Sequence, residues 1–232
     1  MLRVLLALSL LLSAGILPAQ VPGYLGRRTV IRLNLHSFPA GSPVVNALNS
    51  DTLSLGESLG ELGLNLRFSL NAERVLSRRF SVGASLNQIL TKTDYTFRGT
   101  SGDMRMVGVA LGAHLHMYTF RTRGNIAPLG PYQKVGFHIL RYQVRDLDEV
   151  FFPDGRRNLG NFTDLMISYS LGTQRIFADR FTWQVALEGA WVIKAFPQTL
   201  SEEDDFLYAR SSSRLRRWFA INLQAGIGLL LY

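Results

Sequence analysis

Histidine, serine and acid are the residue types from which an exported hydrolase assembles base, nucleophile and orienting group. This chain offers His114, His116, His138, Ser168, Ser170 and Glu188. The same histidines are also metal-ligand types, and His114 and His116, two residues apart, share one face of a strand. In a polar setting such imidazoles more often hydrogen-bond to their neighbours. The sequence holds no phosphate loop or dinucleotide fingerprint. It has no cysteine, which argues against a thiolate metal centre, a disulfide framework and a lipoprotein anchor. No catalytic, metal or cofactor site is therefore expected. The charged residues Glu61, Arg67, Lys134, Glu188 and Lys194 instead have the spacing of an interior ion-pair network.

The elements carrying these residues alternate apolar and polar positions with period two, in segments of the length that crosses a bilayer as a strand. Eight such segments are expected: about Arg28 to His36, Glu61 to Asn71, Phe80 to Leu90, Arg105 to Phe120, Pro131 to Tyr142, Asp164 to Phe177, Phe181 to Lys194 and Trp218 to Tyr232. The second is the cleanest: Leu62, Leu64, Leu66, Phe68 and Leu70 oppose Glu61, Gly63, Asn65, Arg67, Ser69 and Asn71. An even number of antiparallel strands closes a barrel with both ends on one side. Its polar face lines the lumen, which eight strands leave only wide enough for side chains. Arg32, Asn34, His114, His116, His138 and Asp164 join the five charged residues on that face.

Connections run long (Ser37 to Gly60), short (Ala72 to Arg79), medium (Thr91 to Met104), short (Arg121 to Gly130), long (Gln143 to Thr163), very short (Ala178 to Arg180) and long (Ala195 to Arg217). Short inner turns and longer outer loops produce that alternation. Aromatic residues divide between the two ends. Phe80, Tyr118, Phe120, Tyr132, Phe177, Phe181, Trp183 and Tyr232 fall beside the short turns, and Tyr95, Phe97, Tyr142, Phe162, Phe196, Trp218 and Phe219 beside the long loops. Two girdles at the headgroup levels are the expectation.

The first residues, Met1-Leu2-Arg3 followed by an apolar run and Leu17-Pro18-Ala19, read as a cleaved signal peptide over 1–19, leaving 20–232 as one barrel domain. The net charge of +8 is scattered singly, which suits lipid phosphate and not nucleic acid. Signal, eight alternating segments, long loops and a terminal strand closing on Tyr232 resemble the small outer-membrane barrels of the OmpA transmembrane domain and OmpX type. Residues Pro22 to Arg28 look like those of uncharacterised barrel proteins of Bacteroidota. The resemblance implies an all-β, transmembrane, up-and-down barrel in the cell outer membrane of a Gram-negative bacterium, inserted by the barrel-assembly machinery.

The expected role is a structural or interaction one presented by long extracellular loops over a lumen plugged with polar side chains. The expected partners are outer-membrane lipid, lipopolysaccharide and an extracellular or envelope protein, and Arg214, Arg216 and Arg217 are the candidates for lipopolysaccharide phosphate. Two alternatives stand beside it: an outer-membrane lipid-modifying hydrolase, and an accessory barrel of an envelope transport or secretion machine. Lipid A deacylases of this barrel size carry a His-x-Ser pair, where this chain has His114-Leu115-His116.

Overall fold

Because each alternating segment has one apolar and one polar face, a single sheet can satisfy all of them only by rolling up with one face enclosed. The computed structural model, which describes residues 25–38, 65–97, 100–119, 127–146, 158–193 and 202–232, adopts that solution. Among the described residues the strands are β1 (Thr29–Phe38), β2 (Asn65–Val75), β3 (Phe80–Phe97), β4 (Thr100–Tyr118), β5 (Gly130–Asp146), β6 (Asn158–Phe177), β7 (Phe181–Ile193) and β8 (Ile221–Leu231). Each pairs antiparallel with the next, and β1 pairs with β8, so the sheet closes as a barrel.

Apolar side chains face outward. On β8, Ile221, Leu223 and Ile227 are exposed while Asn222 and Gln224 are buried. On β2, Phe68 and Leu70 are exposed while Arg67, Ser69, Asn71 and Glu73 are buried. With a rise near 3.4 Å per residue and the usual tilt, β8 spans about 25 Å of barrel height, the thickness of the apolar band on membrane barrels.

Four sequence expectations are corrected. The segment 195–217 is not all loop, and the last strand does not begin at Trp218, because a helix, α1 (Glu202–Ala220), occupies most of that connection. Its buried residues Leu207, Tyr208, Ser211, Ser212, Leu215, Trp218 and Phe219 recur with the helical period and form one face. Asn222, on the inner face of β8, ends the helix by donating to the Trp218 and Phe219 carbonyls at 3.3 and 3.2 Å.

The medium connection from Thr91 to Met104 is mostly strand, since β3 and β4 pair out to Phe97 and Thr100. Long connections therefore do not strictly alternate with short ones. Likewise β5 runs to Asp146 and β6 starts at Asn158, shortening the expected 143–163 loop.

The two girdles are only half present. Phe80, Phe177, Phe181, Trp183 and Tyr232 are exposed at the turn end, but Tyr118, Tyr132, Tyr142, Phe162, Trp218 and Phe219 point inward and are buried. Pleat parity decides this: Tyr118 shares a face with His116, and Tyr142 with His138. The expected signal peptide 1–19 and the residues Glu61, Lys194, Phe120 and Phe196 lie outside the described residues.

Candidate functional site

The enclosed residues form three layers. At the turn end Val75, Tyr118, Ala127, Tyr132 and Ala186 make a small apolar seal. At the loop end the inner faces of β3 to β7 bury a larger apolar cluster that includes Ile89, Met104, Met106, Tyr142, Phe162 and Met166, and α1 packs into it with Leu207, Leu215, Trp218 and Phe219. The lumen is thus not plugged by polar side chains alone, as expected from sequence. Its outer third is an apolar core completed by the helix.

Between the seals lies a polar layer with two carboxylates at its centres. Glu188 of β7 accepts from Arg67 Nη2 at 2.7 Å, Lys134 Nζ at 3.2 Å and Ser170 Oγ at 3.2 Å. Arg67, Lys134 and Glu188, three of the five residues read from sequence as a network, are brought together, and Glu61 and Lys194 are not described. The second centre, Glu73 of β2, accepts from Arg32 Nη1 at 3.3 Å, Tyr118 Oη at 2.9 Å and, more closely, Ser81 Oγ, and it lies 2.9 Å from His116 Nδ1. Buried carboxylates persist only when paired and hydrogen-bonded in this way.

Glu73 and His36 escaped the sequence reading. The alternation read from sequence ends the second segment at Asn71 and leaves Glu73 in a turn, yet the series Arg67, Ser69, Asn71, Glu73 continues one inner face. His36 continues the series Arg32, Asn34 in the same manner.

The hydrolase types meet, but in geometry unsuited to hydrolysis. His36 Nε2 is 2.8 Å from Ser69 Oγ, and its Nδ1 is 3.4 Å from Glu188 Oε1, the outline of a Ser-His-acid triad. Arg67 Nη2, however, lies 2.8 Å from the same Nδ1 and, being only a donor, requires that nitrogen to accept. The proton of a neutral imidazole then sits on Nε2, facing Ser69, so His36 has no lone pair with which to activate that hydroxyl. His138 stands between two serines, Nε2 3.0 Å from Ser168 Oγ and Nδ1 3.3 Å from Ser85 Oγ, with no acid to orient it. Ser170 is engaged by Glu188. A cavity in this layer, lined by His36, Ser69, His114, His138 and Glu188 among others, is about the size of a single water molecule and admits no acyl chain.

Glu73, His114 and His116 place one potential ligand atom each within 4.8 Å of one another, a set suited by type to zinc. An ion there would share Glu73 with the Arg32 guanidinium and displace hydroxyl donors already in place. Glu73 is hydrogen-bonded, whereas the buried His114 Nε2 and both ring nitrogens of His116 have no hydrogen-bond partner among the described residues.

At the loop end Asp164 of β6 is fully buried and accepts from Tyr142 Oη at 3.0 Å and Tyr208 Oη at 2.6 Å, which ties α1 to the barrel wall. Burial and the Asp164 carboxylate push the Tyr208 hydroxyl pKa upward, keeping it a donor. Of the residues expected at lipopolysaccharide, Arg216 and Arg217 are exposed on α1, while Arg214 turns to the rim, where its Nε donates to Thr91 Oγ1 at 3.2 Å.

No protein family and no curated protein matches the chain. Among solved structures, the N-terminal β-barrel domain of OprF from Pseudomonas aeruginosa aligns over 88% of this chain and 98% of that one, at 12% identity and a TM-score of 0.39. Ail, the attachment invasion locus protein of Yersinia pestis, solved with the heparin analogue sucrose octasulfate, aligns over 88% of this chain and 97% of that one, at 10% identity and a TM-score of 0.42.

Proposed function

We propose that this chain is an outer-membrane barrel without a conducting lumen, which acts through the surface it presents at its loop end. One observation carries the reading: every strand of a closed barrel turns apolar side chains outward, and the charges Arg32, Arg67, Glu73, Lys134, Asp164 and Glu188 lie inside. In water that exterior would be a large apolar surface with nothing to cover it, whereas a bilayer covers it at no cost to the paired backbone. The loop end, with α1 locked across it, is then a rigid platform for an extracellular or envelope partner. The exposure of Arg216 and Arg217 on α1 supports lipopolysaccharide phosphate as their ligand. Insertion by the barrel-assembly machinery follows from the same reading.

The test is fractionation of the expressed protein with gel mobility before and after boiling. A closed membrane barrel stays in the outer-membrane fraction and migrates faster unboiled, because its ladders survive detergent. A soluble periplasmic protein with one mobility would be a lipocalin-like barrel instead. Protease added to intact cells should cut within 147–157 or 194–201 and spare 178–180.

A further inference from the structure

The turn end of the barrel carries a collar of arginines with almost no acid to balance it. Arg74, Arg78, Arg79, Arg175 and Arg180 are exposed there and Arg28 is half-buried, and Asp179 is the single exposed acid among the described residues of that end. Backbone bonds show that the collar is continuous: Leu230 N donates to Arg180 O at 2.7 Å, Arg28 N to Leu231 O at 3.0 Å, and Val75 N to Arg28 O at 2.7 Å. Arg180, Arg28 and Arg74 thereby follow one another across β7, β8, β1 and β2. The main-chain carbonyl of Asp179, in the β6–β7 turn, accepts from the buried Arg27 guanidinium. Among the described residues Arg28, Arg74, Arg175 and Arg180 have no acidic partner.

The collar also has a fixed height. It lies against the exposed aromatics Phe80, Phe177, Phe181, Trp183 and Tyr232, and Arg175 is the direct cross-strand partner of Trp183. Such rings settle at the boundary between hydrocarbon and headgroups, so the guanidinium groups reach the phosphate plane just beyond it. Arginine matches phosphate oxygens in bidentate geometry, and like charges gathered on one rim are favourable only with counter-charge between them.

We propose that the arginine collar is a binding site for the phosphate headgroups of anionic phospholipid in the leaflet that meets the turn end. This rests on the membrane reading above. The collar selects anionic over zwitterionic lipid around the turn-end half of the barrel, and so fixes the depth and tilt at which the barrel sits.

Trp183 reports the collar directly. In a Trp191→Phe background the remaining indole, Trp218, is buried inside the barrel and out of reach of lipid. The protein is reconstituted into phosphatidylcholine vesicles containing brominated phosphatidylglycerol or, separately, brominated phosphatidylcholine at equal mole fraction. Brominated phosphatidylglycerol should quench Trp183 with about threefold higher apparent affinity, a preference that shrinks in high salt. Replacing Arg28, Arg74, Arg175 and Arg180 together by Gln should abolish the preference, whereas Arg216→Gln with Arg217→Gln at the other end should keep it. Equal quenching by the two lipids, or a preference that survives the fourfold variant, overturns the collar while leaving the membrane reading intact. Loss of the preference on adding inorganic phosphate alone, at ionic strength matched with chloride, would make this a soluble-phosphate site and overturn the lipid assignment. Quenching by neither lipid overturns the membrane reading, and the collar with it.

Discussion

The Arg67 guanidinium carbon lies 4.5 Å from the centre of the Phe219 ring while its Nη2 donates to Glu188. One side chain therefore joins the polar layer of the lumen to the apolar layer that α1 completes. Arg67→Met should leave Glu188 with Lys134 as its remaining cation and remove the cation–π contact, a loss of about 3 to 5 kcal/mol by analogy with other broken buried pairs. Arg67→Lys, which keeps the charge but not the planar fork, should fall between the two. The measurement is the temperature at which the fast-migrating gel band disappears, and an unchanged temperature for Arg67→Met would show that Glu188 is not buried as described.

Asp164 predicts a local effect. Tyr208→Phe removes one of its two tyrosine donors and one of the polar tethers of α1, costing about 1 to 2 kcal/mol confined to the helix. Trypsin should then cut faster after Arg210, Arg214, Arg216 or Arg217, with the gel transition of the barrel nearly unmoved. Tyr142→Phe breaks the other bond to Asp164 and a weaker contact with Ser211 of α1, and should change trypsin cleavage less.

These two sites differ in how far the sequence disclosed them. Arg67, Lys134 and Glu188 were legible because the pleat forces every second residue inward, so parity alone put them in one lumen. Parity also placed Tyr118, Tyr132 and Tyr142 inside, but the habit of aromatics at membrane interfaces argued the opposite, and the pleat, being covalent geometry, prevailed. The helix was hidden for another reason. Its inner face passes through Ser211 and Ser212, which interrupt the apolar stripe between Tyr208 and Leu215, and Phe219 happens to share the parity of Ile221 and Leu223. Which strands place Asp164 beside Tyr208 depends on long-range closure that no local pattern records.

The β6–β7 turn holds Ala178 and Asp179 at φ of 47° and 57°. A side chain in the left-handed region costs roughly 1 to 2 kcal/mol, part of which glycine gives back through the freedom of the unfolded chain. Ala178→Gly should therefore stabilise the barrel by about 0.5 to 1 kcal/mol in a urea titration of the folded band. Gly26→Ala, at φ 80°, should destabilise it by a similar amount, although no atom stands within 4 Å of the added carbon. Equal and opposite shifts would isolate the backbone term, whereas a destabilising Ala178→Gly would mean that the turn has another conformation.

The last prediction concerns conduction through a lumen closed by two seals in series. In planar bilayers the intact protein should show no steady current, since α1 and its apolar cluster close one end and Tyr118 with Tyr132 the other. Resistances in series add, so opening one seal leaves the other in control. Tyr132→Ala, which loses the hydroxyl that bonds Gln184 at 3.2 Å, should remain at baseline. Trp218→Ala alone should do the same, because the turn-end seal is untouched. Only the two substitutions together expose the polar layer from both sides, and even then Glu188 with Arg67 and Lys134 occupies the bore. The expected result is brief, small openings in the double variant, where Arg67 and Glu188 are still intact, enlarged when Glu188→Gln is added and loosens them. Steady current from the intact protein, or from either single variant, would mean that one of the seals does not close the barrel.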